Sequence, residues 1–176
     1  LLYFSVVISF YGVAFWLPQI VKSFSGLSNS TVALLSAVPY LAASICMVIV
    51  AGHSDKTRER KWHVALAAFA GCLGLGLAVF FLQSKYPVAA FFSLCLAASG
   101  IWSTLGPFWS LPTAFLGGTA AAGGVALINS IGNVGGFVGP YIIGYIKQTT
   151  ESFTGGMLVL AGTLLIAGFL ALRIRE

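Results

Sequence analysis

AGHSDKTRERKWH, residues 51–63, holds six of the thirteen charged residues in this 176-residue chain: Asp55, Lys56, Arg58, Glu59, Arg60 and Lys61. On both sides of it the sequence is apolar for about twenty residues, enough for a helix at about 1.5 Å per residue to cross a hydrocarbon core of about 30 Å. The whole chain is 59% hydrophobic and 7% charged, with a mean hydropathy of +0.98. A water-soluble domain is nearer a quarter charged, and a chain this apolar has too little polar surface to face water. The composition therefore predicts an all-α polytopic membrane protein. A β-barrel would need alternating segments of about ten residues, and none appear.

Outward from this island, six apolar runs predict six spans: 1–21, 30–52, 63–82, 88–116, 121–146 and 153–172. The fourth is broken by Gly106-Pro107, and Pro140 lies in the fifth. Six spans bring both ends to one side. That side collects Lys56, Arg58, Arg60, Lys61, Arg173 and Arg175, whereas the other has Lys22, Lys85 and Lys147. The basic bias predicts a cytoplasmic 53–62 loop and cytoplasmic ends. It also accounts for the +5 net charge without a nucleic-acid partner.

The first residue is not Met and already lies inside a span, which reads as the C-terminal part of a longer chain with its N-terminal half absent. Cys46, Cys72 and Cys95 sit on three different spans without metal or redox spacing, so neither metal nor cofactor is expected. Asn29-Ser30-Thr31 matches a glycosylation sequon, but Ser28, Asn29 and Ser30 also suit a helix start.

All four acidic residues fall in loops or the tail, and no basic residue falls mid-span. The segment therefore has no intramembrane ion pair or proton relay of its own. Its span polarity is neutral. Ser36, Tyr40 and Ser44 repeat on the second span; Ser5, Ser9, Gly12 and Trp16 form a stripe on the first, with Tyr11 nearby; Asn129 and Asn133 are one turn apart on the fifth. Helix–helix hydrogen bonding explains serine well, but a side-chain amide is costlier to bury. On the fifth span, Gly135 and Gly139 form a small-xxx-small pair, and Pro140 removes a backbone donor and permits a bend. Kinked, glycine-rich helices around a polar patch suit a carrier whose parts rock between two arrangements. Trp109 lies ten residues before a turn centred near residue 119, and Asn129 ten after it. The two are expected at one depth, on the order of 10–15 Å from the cytoplasmic end.

Asp55-Lys56 with Arg60-Lys61, directly after a span, resembles the loop motif of the major facilitator superfamily, although Ala51 and Arg58 stand where that motif has glycines. The strings HSDKTRERKWHVA (53–65) and GPFWSLPTAFLGGTAAAGGVALINSIGNVGGFVGPYIIG (106–144) are similar to the anion:cation symporter family of bacterial permeases for phthalate, tartrate, hydroxyphenylacetate and sugar acids. The resemblance covers essentially the whole chain. It implies helices seven to twelve of a twelve-helix fold in the bacterial inner membrane, monomeric when complete. It also implies proton-coupled uptake of a small organic anion. Tyr11, Trp109 and Asn129 fall where such proteins contact solute, and Asn133 shares the face of Asn129. Asp55, Lys56, Arg60 and Lys61 would form a cytoplasmic gate latch, with Asp55 capping a helix of the other half. The counter-charge for the anion and the proton-carrying carboxylates would belong to that half.

The residues leave three readings open: an organic-anion symporter half, a carrier of another solute or coupling mode, or a self-contained six-span channel or membrane enzyme. The last would want His, Asp or Glu on a span, but His53 and His63 both flank the charged island.

Overall fold

A computed structural model describes residues 1–115 and 117–174, with backbone alone for 113–115 and 118–120. Among the described residues eight helices make up six spans. They are α1 (Leu2–Ser25), α2 (Asn29–Thr57), α3 (Lys61–Gln83), α4 (Pro87–Ser103), α5 (Leu105–Phe115), α6 (Gly118–Asn133), α7 (Gly135–Thr150) and α8 (Thr154–Leu172). α4 and α5 form the fourth span, and α6 and α7 the fifth; all six spans are long and apolar enough to cross a membrane. The expected end of the fourth span at Leu116, and the contribution of Arg175 to a basic tail, lie outside the described residues.

Local chemistry sets the boundaries. α1 stops at Gly26, whose φ of 64° is left-handed, and α2 starts where the Ser28 hydroxyl accepts the Thr31 amide at 3.3 Å. The sequon serine and threonine thus belong to a helix start. The fourth span is interrupted at Thr104, slightly before the expected Gly106-Pro107. Pro107 has no amide to offer the Ser103 carbonyl. Thr104 instead turns back on Ile101, whose carbonyl accepts both its amide (3.3 Å) and its hydroxyl (2.7 Å). In the fifth span α7 runs unbroken through Pro140, and the interruption lies at Val134. There the Val134 amide tightens onto Ile131 at 3.3 Å, and the Phe137 and Val138 amides share the Val134 carbonyl. Gly132, Gly135 and Gly136 around it hold a helix weakly.

The core gathers Leu17, Leu75, Leu94, Ile101, Ile143, Met157, Leu160 and Leu164, from α1, α3, α4, α7 and α8. α3 and α4 approach closely through small residues. A Cβ added at Gly74 would stand 2.4 Å from the Ala97 amide nitrogen, and one at Gly100 would stand 2.3 Å from that of Gly71. The polar stripes of the first and second spans bond between or within helices. Ser9 donates to the Leu160 carbonyl at 2.9 Å and meets the Thr163 hydroxyl, Tyr40 donates to the Ala14 carbonyl at 2.9 Å, and Ser36 and Ser44 bond back to their own helix. Cys46, Cys72 and Cys95 are free and half-buried.

Two spans are left open. In their most apolar stretches only 22% of the second and 11% of the fifth are buried, against 44–56% elsewhere. Leu34, Leu41, Ile45 and Val48 on α2, and Leu127, Ile131, Phe137 and Tyr141 on α6–α7, are exposed.

Candidate functional site

The site is built where the fifth span lies against the first. Connectivity makes these two spans parallel, and glycines let them touch. A Cβ at Gly139 would stand 2.0 Å from the Ile8 carbonyl oxygen, and one at Gly135 2.8 Å from that of Phe4. Aromatic rings of α1 occupy the space the neighbouring glycines leave. Tyr3 lies over Gly132, Tyr11 over Gly136 and Trp16 over Gly144, with ring atoms 2.0, 2.9 and 3.0 Å from where a Cβ would stand. The Trp16 indole nitrogen also donates to the Pro140 carbonyl at 3.0 Å. Pro140 thus serves as an acceptor between helices.

Asn129 and Asn133 lie on the exposed face of α6. The Asn133 amide nitrogen donates to both the side-chain and the backbone oxygen of Asn129, each at 2.8 Å. These bonds leave the Asn129 NH2 donors and the Asn133 carbonyl oxygen facing away from the bundle. Asn129 lies on the order of 16 Å along the helix from Gly118, deep within a span. Trp109 is turned elsewhere. Its ring meets Tyr3 edge-on at 4.8 Å and Phe108 at 5.3 Å, filling the angle between α1 and α5. Trp109 is thus held against α1, while Asn129 bonds within α6.

The charged island is more compact than the expected 53–62 loop. α2 continues through Asp55 and Lys56 to Thr57, and α3 begins at Lys61. The turn is residues 58–60. Arg58, in a motif position where glycine is usual, adopts the left-handed conformation at φ 57°. Arg60 pairs with Asp55 at 2.6 Å and donates to the buried Ser54 hydroxyl at 3.1 Å; that hydroxyl donates to the Glu59 carbonyl at 2.7 Å. The Asp55 carboxylate stays largely exposed, pointing off the end of the bundle. Glu59 accepts the Trp62 amide at 2.9 Å, capping α3, and meets His63 at 2.8 Å. The other nitrogen of His63 faces His53 at 2.7 Å.

This turn and the glycine-lined crossing up to Pro140 lie within a match to the sequence model of the Major Facilitator Superfamily, over residues 1–140. The chain belongs to the major facilitator superfamily. Named relatives extend the match nearly end to end. A protein of Agrobacterium vitis described as a "Putative tartrate transporter" is 46% identical over 98% of this chain and 37% of its own length. A quinolone resistance transporter of Acinetobacter baumannii is 36% identical over 94% of this chain and 37% of its own. The inner membrane transport protein RhmT of Escherichia coli is 32% identical over 99% and 40%. The chain thus spans about two-fifths of the length of the relatives it matches.

Within this superfamily chain, three contributors were missed by reading the sequence alone. Tyr3 stands between Trp109 and Gly132, and its signal was the i, i+8 spacing to Tyr11 on one helical face. Glu59 and His63 are an i, i+4 pair, a spacing that brings side chains together on a helix. Among the described residues no group of three or more His, Cys, Asp or Glu is placed to hold a metal ion.

Proposed function

We propose that this chain is the C-terminal six-helix half of a bacterial inner-membrane carrier, which moves a small organic anion by proton symport with alternating access. One observation carries the reading: the Asn129–Asn133 amide pair sits deep on a span, is satisfied only in part, and faces outward from the bundle. Hydrocarbon would penalise such an amide face by several kcal/mol per unmet group, roughly. Water in a central cavity and a polar solute would satisfy it. The open α2 and α6–α7 faces are then the surfaces turned toward the other half, across the cavity, and the fraction of each relative that this chain covers leaves room for six further spans.

The solute is a carboxylate, sugar acid or aromatic acid. The 46% identity to a protein named for tartrate supports that class. Asn129 and Asn133 contribute hydrogen bonds; Tyr11 and Trp109, held by Gly136 and Tyr3, form walls. Counter-charge at mid-span and proton carriers come from the other half, since no charged residue lies mid-span here. Asp55, Lys56, Arg60 and Lys61 latch the cytoplasmic side, and both ends of the segment are cytoplasmic. The complete carrier works as a monomer.

The test is uptake of labelled tartrate and phthalate into proteoliposomes containing the full-length protein. An inward proton gradient should accelerate uptake, and collapsing it should slow uptake. Uptake that follows a sodium gradient and ignores protons would overturn the coupling. A second reading, carriage of a different solute class, is favoured by the quinolone resistance relative. Uptake of a quinolone but of neither acid would select it.

A further inference from the structure

At the end of the bundle opposite the 58–60 turn, a cleft of about 630 Å³ opens between α1 and α7. Its back is Trp16, fixed by the Pro140 carbonyl at 3.0 Å and lying against Gly144. Its side is a pair of exposed tyrosines, Tyr141 and Tyr145, with near-parallel rings 6.3 Å apart. Gln19, Lys147 and Gln148 complete the lining. The cleft has one charge, and it is positive.

Lys147 has a structural duty. Its ammonium donates to the Glu151 carbonyl beyond the end of α7 and stands 5.3 Å from the centre of the Phe153 ring. That is how a lysine closes a helix C-terminus. The duty leaves its charge uncancelled. A carbonyl and an aromatic face are neutral, an ammonium has three donors, and no carboxylate lies within 4.0 Å of it among the described residues. Around it stand two primary amides that donate and accept, two phenols, and flat aromatic surface. A cavity of this size, with three aromatic walls and a few convergent polar groups, has the usual make-up of a small-molecule site.

We propose that this cleft is an outer capture site for a small organic anion, distinct from the mid-span Asn129 face. One carboxylate sits on Lys147, and the hydroxyls or ring of the solute lie on Gln19, Gln148 and the tyrosine pair. A positive cleft at the mouth raises the local concentration of an anion before it descends. The proposal rests on the organic-anion reading above, and its test separates the two.

The test uses right-side-out membrane vesicles carrying the full-length protein, with native cysteines replaced and one cysteine introduced by Gln148→Cys. A membrane-impermeant maleimide reports on the cleft, with tartrate and phthalate as protecting anions. Protection by either anion is expected. Its half-maximal concentration should rise about tenfold or more in Lys147→Gln, the effect of a lost charge-assisted hydrogen bond, and stay within about threefold in Lys147→Arg. No protection, or protection indifferent to Lys147→Gln, overturns the capture site. Uptake measured in the same vesicles judges the transport reading separately. Protection without uptake supports the cleft and sinks transport of these acids; uptake without protection does the reverse.

Discussion

Gly139 and Ile8 touch through their backbones: a single added methyl group at Gly139 would stand 2.0 Å from the Ile8 carbonyl oxygen and 3.2 Å from the Gly12 amide nitrogen. No side-chain rotation relieves that contact, so the first and fifth spans would have to separate. Gly139→Ala is expected to cost about 1–3 kcal/mol, as overpacking does. It should lower the melting temperature of the purified full-length protein. Gly162→Ala, on α8 away from the open α2 and α6–α7 faces, has open space around it and should leave melting unchanged or raise it. Equal effects from both variants would contradict the close crossing.

The amide pair makes a prediction about binding. Asn129→Ala removes the unspent NH2 donors and one acceptor of Asn133. Solute affinity, measured by calorimetry on full-length protein, should fall roughly threefold to a hundredfold, the range for one hydrogen bond to a charged or neutral acceptor. Expression and melting should hold. Unchanged affinity with lost stability would make Asn129 a helix-packing residue instead.

The gate account predicts a kinetic rather than a binding defect at Asp55. Its carboxylate is exposed at the end of α2 with Arg60 at its side, free to meet a helix N-terminus from another part of the protein. Asp55→Asn should slow net transport far more than it weakens equilibrium solute binding, because it shifts conformational populations without touching solute. A collapse of affinity with normal cycling would remove Asp55 from the latch.

Topology can be checked at two matching positions. Arg58 and Lys85 both sit in left-handed turns, at φ 57° and 62°, on opposite ends of the bundle. Single cysteines introduced there in the full-length protein should react with an impermeant reagent from opposite sides, the one at Arg58 from the cytoplasm. Reaction from one side would undo both the orientation and the span count.

Counting residues located the spans, because crossing a membrane is a matter of length and apolarity. It could not supply direction around the helix axis. The ring of Trp109 packs on Tyr3, whereas Asn129 is exposed and bonds to Asn133. Nor did apolarity mark the helix ends near charge. α2 continues past the apolar run to Thr57, so His53 and His63 face each other across a three-residue turn rather than standing apart on a ten-residue loop. The interruptions at Thr104 and Val134 arise from which amide finds which carbonyl, and the nearby prolines only hint at that. Gly71, Gly74 and Gly100 look ordinary among alanines, yet they bring α3 and α4 together as closely as Gly135 and Gly139 bring the fifth span to the first.

If these six spans belong to a carrier of small organic anions, the full-length protein will support counterflow. Proteoliposomes containing the full-length protein are loaded with excess unlabelled tartrate, diluted into a trace of labelled tartrate, and followed with no proton gradient. A carrier that alternates access should show a transient internal accumulation of label above equilibrium, abolished by phthalate outside. Simple equilibration without overshoot would indicate a pore, and no entry of either acid would contradict the account.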